Sequence, residues 1–198
     1  MRNLTTNSLK SFAIIVLVSL VLSSCGARKK TTVLHGKGSS PSGKVYSDAS
    51  SARGASGKGN TLANYAEILG VSERSLNNKE LYNFIDEWIG SPHRMGGLQK
   101  NGIDCSAFVG ILYSKVYNEN LPRTSRDMAE HVKRKYENQL KEGDLVFFSF
   151  GGRNIDHVGV YLQNNKFVHV STKRGVIISD IKDTWYYKYF TRAGTPKG

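Results

Sequence analysis

The apolar positions change rhythm along the chain. Residues 12–22 form an apolar run interrupted only by Ser19, and residues 26–60 offer hardly any large apolar side chain. From Leu62 onward the spacing becomes periodic. Leu62, Tyr65, Ala66 and Leu69 stand at i, i+3, i+4 and i+7 and stop at Gly70, which predicts one short amphipathic helix. Leu81, Phe84, Ile85, Trp88 and Ile89 repeat the spacing after Asn78, a good N-cap, and end at Gly90-Ser91-Pro92. A Gly-rich loop from Met95 to Gly102 leads to Asp104-Cys105-Ser106. Phe108, Val109, Leu112, Tyr113 and Val116 then mark one face of a third helix. Thr124 with Asp127 three residues on predicts a capping box and a fourth helix, with His131, Lys133, Arg134 and Lys135 as its solvated charged face.

From Asp144 the segments become short, rich in β-branched and aromatic residues, and punctuated by Gly and Asn. Strands are predicted over 145–150, 157–162, 166–170, 176–179 and 185–191. Helices followed by a run of strands predict an α+β fold, N-terminal helices packed on a five- to six-stranded antiparallel sheet.

Composition and charge then divide the chain into three. The net charge is +12. By count, residues 1–24 carry 2 basic and no acidic side chains, residues 25–60 carry 7 and 1, and residues 61–198 carry 19 and 15. The foldable part is therefore only mildly basic, and with no nucleic-acid motif the charge does not support a nucleic-acid partner. A positive start, a short apolar run and small residues before Cys25 describe a secretory signal peptide over 1–24. The run is too short for a comfortable transmembrane helix, which wants about 20 residues. Residues 25–60 have the Gly/Ser-rich composition of a flexible basic linker, and 61–198 the composition of a folded domain. Two cysteines are too few for a disulfide scaffold or a thiolate zinc site, and no metal or cofactor is expected.

The candidate chemistry gathers around Cys105. Asp104 is a natural N-cap, so Cys105 falls in the first helical turn, where unpaired backbone N–H groups and the helix dipole favour a thiolate. His157 and His169 lie on consecutive predicted strands. A three-residue loop, Gln163-Asn164-Asn165, pairs Leu162 with Lys166 and Gly159 with His169, which sets His157 diagonally across from His169 on one face, within reach of an imidazole–imidazole hydrogen bond. A two-residue turn would put them on opposite faces. With the odd loop, His157 can take the Cys105 proton while His169 fixes its tautomer. His35, His93 and His131 fit no such arrangement from spacing alone.

Six blocks carry a resemblance that covers roughly residues 75–195. They are Gly90-Ser91-Pro92-His93-Arg94-Met95-Gly96-Gly97, Gly102-Ile103-Asp104-Cys105-Ser106-Ala107-Phe108-Val109 and Leu121-Pro122-Arg123-Thr124-Ser125. Glu142-Gly143-Asp144-Leu145-Val146-Phe147-Phe148, Asp156-His157-Val158-Gly159-Val160-Tyr161 and Phe167-Val168-His169-Val170-Ser171 follow in order. In these blocks the chain resembles the NlpC family of papain-like cell-wall endopeptidases, among them small lipoproteins of the NlpC and MepS kind. The resemblance implies a papain-like cysteine peptidase fold and hydrolysis of peptidoglycan stem peptides, at D-glutamyl–diaminopimelate or D-alanyl–diaminopimelate bonds. It implies Cys105 as nucleophile, His157 as base and His169 as third member, with the Cys105 N–H helping to hold the oxyanion. Asp104 and Ser106 match positions that contact a substrate amine in some relatives. His93 stands where many members carry a Tyr near the oxyanion, Ala107 replaces a common Gly, and Met128 falls where Gln is frequent.

Leu22-Ser23-Ser24-Cys25 resembles the bacterial lipobox, which implies cleavage before Cys25 and lipidation of its thiol. The expected mature protein is anchored by lipid to a bacterial membrane, by analogy with relatives the outer membrane facing the periplasm, and it keeps Cys105 as a lone thiol. Rival readings are an amidase cutting the glycan–peptide amide, an acyltransferase on a related scaffold, and a non-catalytic wall-binding lipoprotein.

Overall fold

A computed structural model describes residues 60–198. The expected signal peptide, the lipid site at Cys25, the linker and His35 lie outside the described residues. Helix α1 (Thr61–Leu69) closes at Gly70, whose left-handed backbone lets its N–H return to Ala66 and Glu67 carbonyls. Helix α2 (Lys79–Trp88) opens on Asn78, whose side chain accepts from the Leu81 N–H at 3.0 Å. A two-stranded ribbon of β1 (Leu98–Gln99) and β2 (Gly102–Ile103) precedes α3 (Cys105–Leu112), which widens into a π-helical turn over Tyr113–Tyr117.

Helix α4 (Ser125–Glu130) starts on Thr124, whose hydroxyl oxygen accepts from the Asp127 N–H. It is shorter than its sequence suggests. His131 ends it, and Val132–Arg134 form strand β3 instead of a charged helical face. The reason is long-range: Val132, Lys133 and Arg134 pair with Pro196, Thr195 and Gly194, a ladder no local pattern announces. The remaining strands are β4 (Leu145–Phe148), β5 (His157–Tyr161), β6 (Lys166–Ser171), β7 (Gly175–Asp180) and β8 (Phe190–Pro196). They form one six-stranded sheet in the order β3-β8-β4-β5-β6-β7, with every neighbouring pair antiparallel. The expected strand over 185–191 is largely helical, as α5 (Thr184–Tyr189), started by the Asp183 carboxylate accepting from Trp185 N–H.

Alternation along the strands sorts two cores. Leu145, Phe147, Val158, Val160, Val168 and Val170 pack under α1, α2 and α3. Val146, Phe148 and Phe167 turn to the other face, where Tyr186, Tyr189 and Phe190 cover them. The hairpin between β5 and β6 turns in three residues, with Leu162 N–H donating to Lys166 O at 2.8 Å and Gly159 opposite His169. Asn164 and Asn165 take left-handed backbone there, a conformation Asn tolerates. The Asn164 side chain also donates to Leu69 O at 2.8 Å, so the loop of this hairpin caps the end of α1.

Candidate active site

Asp104 builds the first half of the site. Its carboxylate accepts from the Ala107 N–H at 2.7 Å, which starts α3 and puts Cys105 in the first turn, where backbone N–H groups have no intrahelical acceptor. The same carboxylate receives the Ser106 hydroxyl at 3.0 Å and a two-pronged Arg123 guanidinium, Nη1 at 3.1 Å and Nη2 at 2.5 Å. Arg123 Nη1 also reaches Ser106 Oγ at 2.8 Å. Burial alone would raise the Asp104 carboxyl. The Arg123, Ala107 and Ser106 hydrogen bonds outweigh it and hold the group below the ordinary carboxylate range. Asp104 and Ser106 therefore line the cleft, but the carboxylate is already ion-paired and is not presented bare to an amine.

The sheet builds the second half. Asp156 accepts from Phe150 N–H at 2.9 Å and Gly151 N–H at 2.5 Å, closing the loop that delivers His157 to the start of β5. His157 Nε2 lies 2.9 Å from His169 Nδ1, in the diagonal arrangement set by the odd loop. Gly159 lies beside that contact, directly across the ladder from His169. A Cβ there would meet Phe167 Cδ2 at 2.7 Å, Val168 O at 2.8 Å and His169 Cβ at 3.1 Å, so a side chain would push on the strand that carries His169. His169 stacks on Phe167 with 4.8 Å between centroids, and its Nε2 meets Ser179 Oγ at 3.0 Å and Tyr186 Oη at 3.2 Å.

The two halves meet in a cleft of about 700 Å³ lined by Cys105, His157, His93, Arg123 and Phe150, among others. His93 is held beside the nucleophile's helix by a bridge to Ile103. Burial lowers His157 to about 4, against a smaller raising effect of Asp156, and the nearby His93 adds to the fall. Burial also takes His169 well below the usual imidazole range, helped by His157 and Arg174. Burial pushes the Cys105 thiol up and the Asp104 charge adds to the rise, while backbone N–H groups of Val158, Ser106 and Cys105 pull the other way. The helix N-terminus pulls toward the thiolate as expected, and burial opposes it more strongly, favouring the neutral thiol beside a neutral imidazole. Such a pair can still transfer a proton when an electrophile arrives.

The NlpC/P60 family matches residues 90–195, a span that holds Cys105, His157 and His169. The chain belongs to this family. Across 178 residues it is 30% identical to the murein DD-endopeptidase MepS/murein LD-carboxypeptidase of Escherichia coli K12, covering 90% of this chain and 87% of that protein. It is 42% identical over 123 residues to a probable endopeptidase NlpC homolog of Haemophilus influenzae, covering 62% of this chain. There the chain spans 64% of the relative's length, a little under two thirds. Solved NlpC/P60 structures share the fold. A Bacillus cereus family protein has a TM-score of 0.55 at 24% identity, covering 61% of this chain and 41% of that one. The NlpC/p60 domain of the peptidoglycan hydrolase SagA has a TM-score of 0.52 at 22% identity, covering 60% and 98%. The six-stranded antiparallel sheet with its helices is the α+β architecture of this NlpC/P60 group.

Three groups in this NlpC/P60 site were not singled out from sequence. Arg123 stood in a matching block without an assigned partner. Ser179 was within reach of a register argument, because the β6–β7 pairing Phe167↔Ser179 puts it on the His169 face. Tyr186 was hidden by the strand expected where α5 forms.

Proposed function

We propose that the protein is a cysteine peptidase that hydrolyses peptide bonds in peptidoglycan stem peptides. The observation that carries this is the His157–His169 contact of 2.9 Å at a cleft shared with a Cys at a helix start. The relatives named as endopeptidases supply the bond type. With Nε2 of His157 turned to His169, Nδ1 is the nitrogen left for the thiol. Cys105 Sγ attacks the scissile carbonyl carbon while its proton passes to His157 Nδ1, and the oxyanion forms against the first-turn N–H groups of α3. Collapse breaks the C–N bond, the amine leaves with the proton from His157, and a thioester remains on Cys105. Water then gives a proton to His157 and adds to the thioester. Expulsion of the thiolate, which recovers the proton, frees the acid.

The same reading makes the enzyme an exported lipoprotein, with 1–24 removed, Cys25 lipidated and 25–60 a tether that lets the domain reach the wall from a bacterial membrane, the outer one facing the periplasm. Several acyl chains on one residue hold a membrane where one would bind only marginally. The intact mass of the mature chain from membranes reads that directly: a diacylglyceryl mass on Cys25 is expected, and an unmodified, uncleaved chain would sink it.

The enzymatic test is mass spectrometry of muropeptides after digestion with full-length protein in detergent, beside Cys105→Ala. Conversion of cross-linked dimers to monomers by the wild type alone means a D-alanyl–diaminopimelate cut. Loss of a dipeptide from the stem means a cut after D-glutamate. Release of the whole stem from the glycan would replace the proposal with an amidase, and no change in any product would leave a wall-binding protein.

A further inference from the structure

The proposed chemistry demands one tautomer of each histidine. For His157 Nδ1 to take the thiol proton it must be bare, so His157 carries its hydrogen on Nε2 and donates it to a bare Nδ1 of His169. His169 must then hold its own proton on Nε2. That ring is only 2% exposed, so its N–H needs a protein acceptor. Two hydroxyls meet it, Ser179 Oγ at 3.0 Å and Tyr186 Oη at 3.2 Å.

These hydroxyls come from different elements and answer to each other. Ser179 is fully buried on β7, on the side that faces His169. Tyr186 comes from α5 and meets the His169 ring edge-on, with 5.2 Å between centroids. Ser179 Oγ donates to Tyr186 Oη at 3.4 Å. With its proton turned to the tyrosine, the serine has its lone pairs free for His169. Tyr186 is partly exposed, so its own proton can point to solvent.

We infer that Ser179 and Tyr186 are positioning residues of this reaction, a paired acceptor that holds His169 in its Nε2–H form and so keeps His157 Nδ1 open to the Cys105 proton. The need is greatest when that proton arrives. His157 becomes an imidazolium, its Nε2–H presses on His169, and only the Nε2–H tautomer of His169 has a lone pair to receive it. A carboxylate third member would answer by charge. A neutral ring depends on what stands behind it. The reverse alignment, with His169 donating to His157, would put a proton on His157 Nδ1 and close the route. The inference rests on Cys105 and His157 reacting as proposed above.

The test begins on the wild-type full chain in detergent, with ¹⁵N-labelled histidine. Ring nitrogen shifts should show His169 protonated at Nε2 and bare at Nδ1 near neutral pH, and the reverse pattern would overturn the inference. This readout needs no substrate, so it stands apart from any failure to cut muropeptides. Next, the rate of Cys105 alkylation by iodoacetamide is followed against pH. Ser179→Ala and Tyr186→Phe each keep one acceptor and should slow it only a few fold. The double variant should lose about 10- to 100-fold, up to the lower end of general acid–base effects because His157 itself remains, with its acid limb displaced to lower pH. On muropeptides its kcat should fall while KM holds. A folded double variant with wild-type rate and pH limb would overturn the inference. Should circular dichroism show it unfolded, the wild-type tautomer decides.

Discussion

The Asp104–Ser106–Arg123 cluster and the His157–His169–Ser179 chain both flank Cys105, and they differ in charge and in water. The first is a formal ion pair with half of the Arg123 side chain, 51%, in solvent. The second holds no charge at rest and is packed among Phe148, Phe167 and Tyr186. The charged cluster fixes the helix that carries the nucleophile and is indifferent to pH across the neutral range. The neutral chain acquires charge only when a proton moves. A cysteine placed between them is held by one and switched by the other, so the two sets of variants should fail differently.

The largest expected effect comes from breaking the neutral chain at its first link. His157→Ala should lower kcat by about 10⁴-fold or more while urea unfolding changes little beyond the lost ring contacts. Steady-state kinetics beside a denaturation curve separates the two, and a folded variant with a lowered urea midpoint but an intact kcat would reverse the assignment.

Acid should act on the same chain through stability. His157 has a folded value near 4, below its unfolded 6.5. Its contribution is complete above pH 6.5 and is lost as pH falls through about 4, on the order of 3 kcal/mol. The lowered His169 extends the loss to lower pH still. By the same token kcat/KM should keep most of its plateau at pH 5. Urea midpoints and rates from pH 7 to 4 check both, and an acid limb centred near 6.5 would mean that His157 is solvated.

Removing Arg123 should hurt stability more than chemistry. Arg123→Gln leaves the buried Asp104 carboxylate with only the Ala107 and Ser106 donors. It should cost about 1–2 kcal/mol, discounted from a buried pair because the guanidinium is half exposed. Asp104→Asn in that background should recover part of it, and the urea double-mutant cycle measures the coupling. Ser106→Ala should be the mildest, about 1 kcal/mol for one hydrogen bond, with kcat within a few fold. A kcat collapse in Ser106→Ala without unfolding would erase the distinction between the clusters.

What could be read in advance follows the range of the interactions. Helix α2 was legible because Asn78 and its stripe are local, and α3 because Asp104 caps it three residues away. The His157–His169 contact was legible because parity across a hairpin is arithmetic. β3 was not, since its partner is β8, some sixty residues later. The aromatic segment of α5 has strand propensity, overruled by the Asp183 cap and by docking of Tyr186 on Phe167 and His169. Arg123 reaches Asp104 across 19 residues, a meeting that no pattern along the chain could specify.

Gly159 has no functional group, yet its one missing carbon leaves the room in which Phe167 and the strand bearing His169 pack against β5. In a saturation library scored by muropeptide cleavage it should stand beside Cys105 and His157 as intolerant of every replacement, alanine included. A search for catalytic groups by side-chain chemistry would pass over it, while a search by tolerance would find it first. At this site part of the chemistry is carried by empty space.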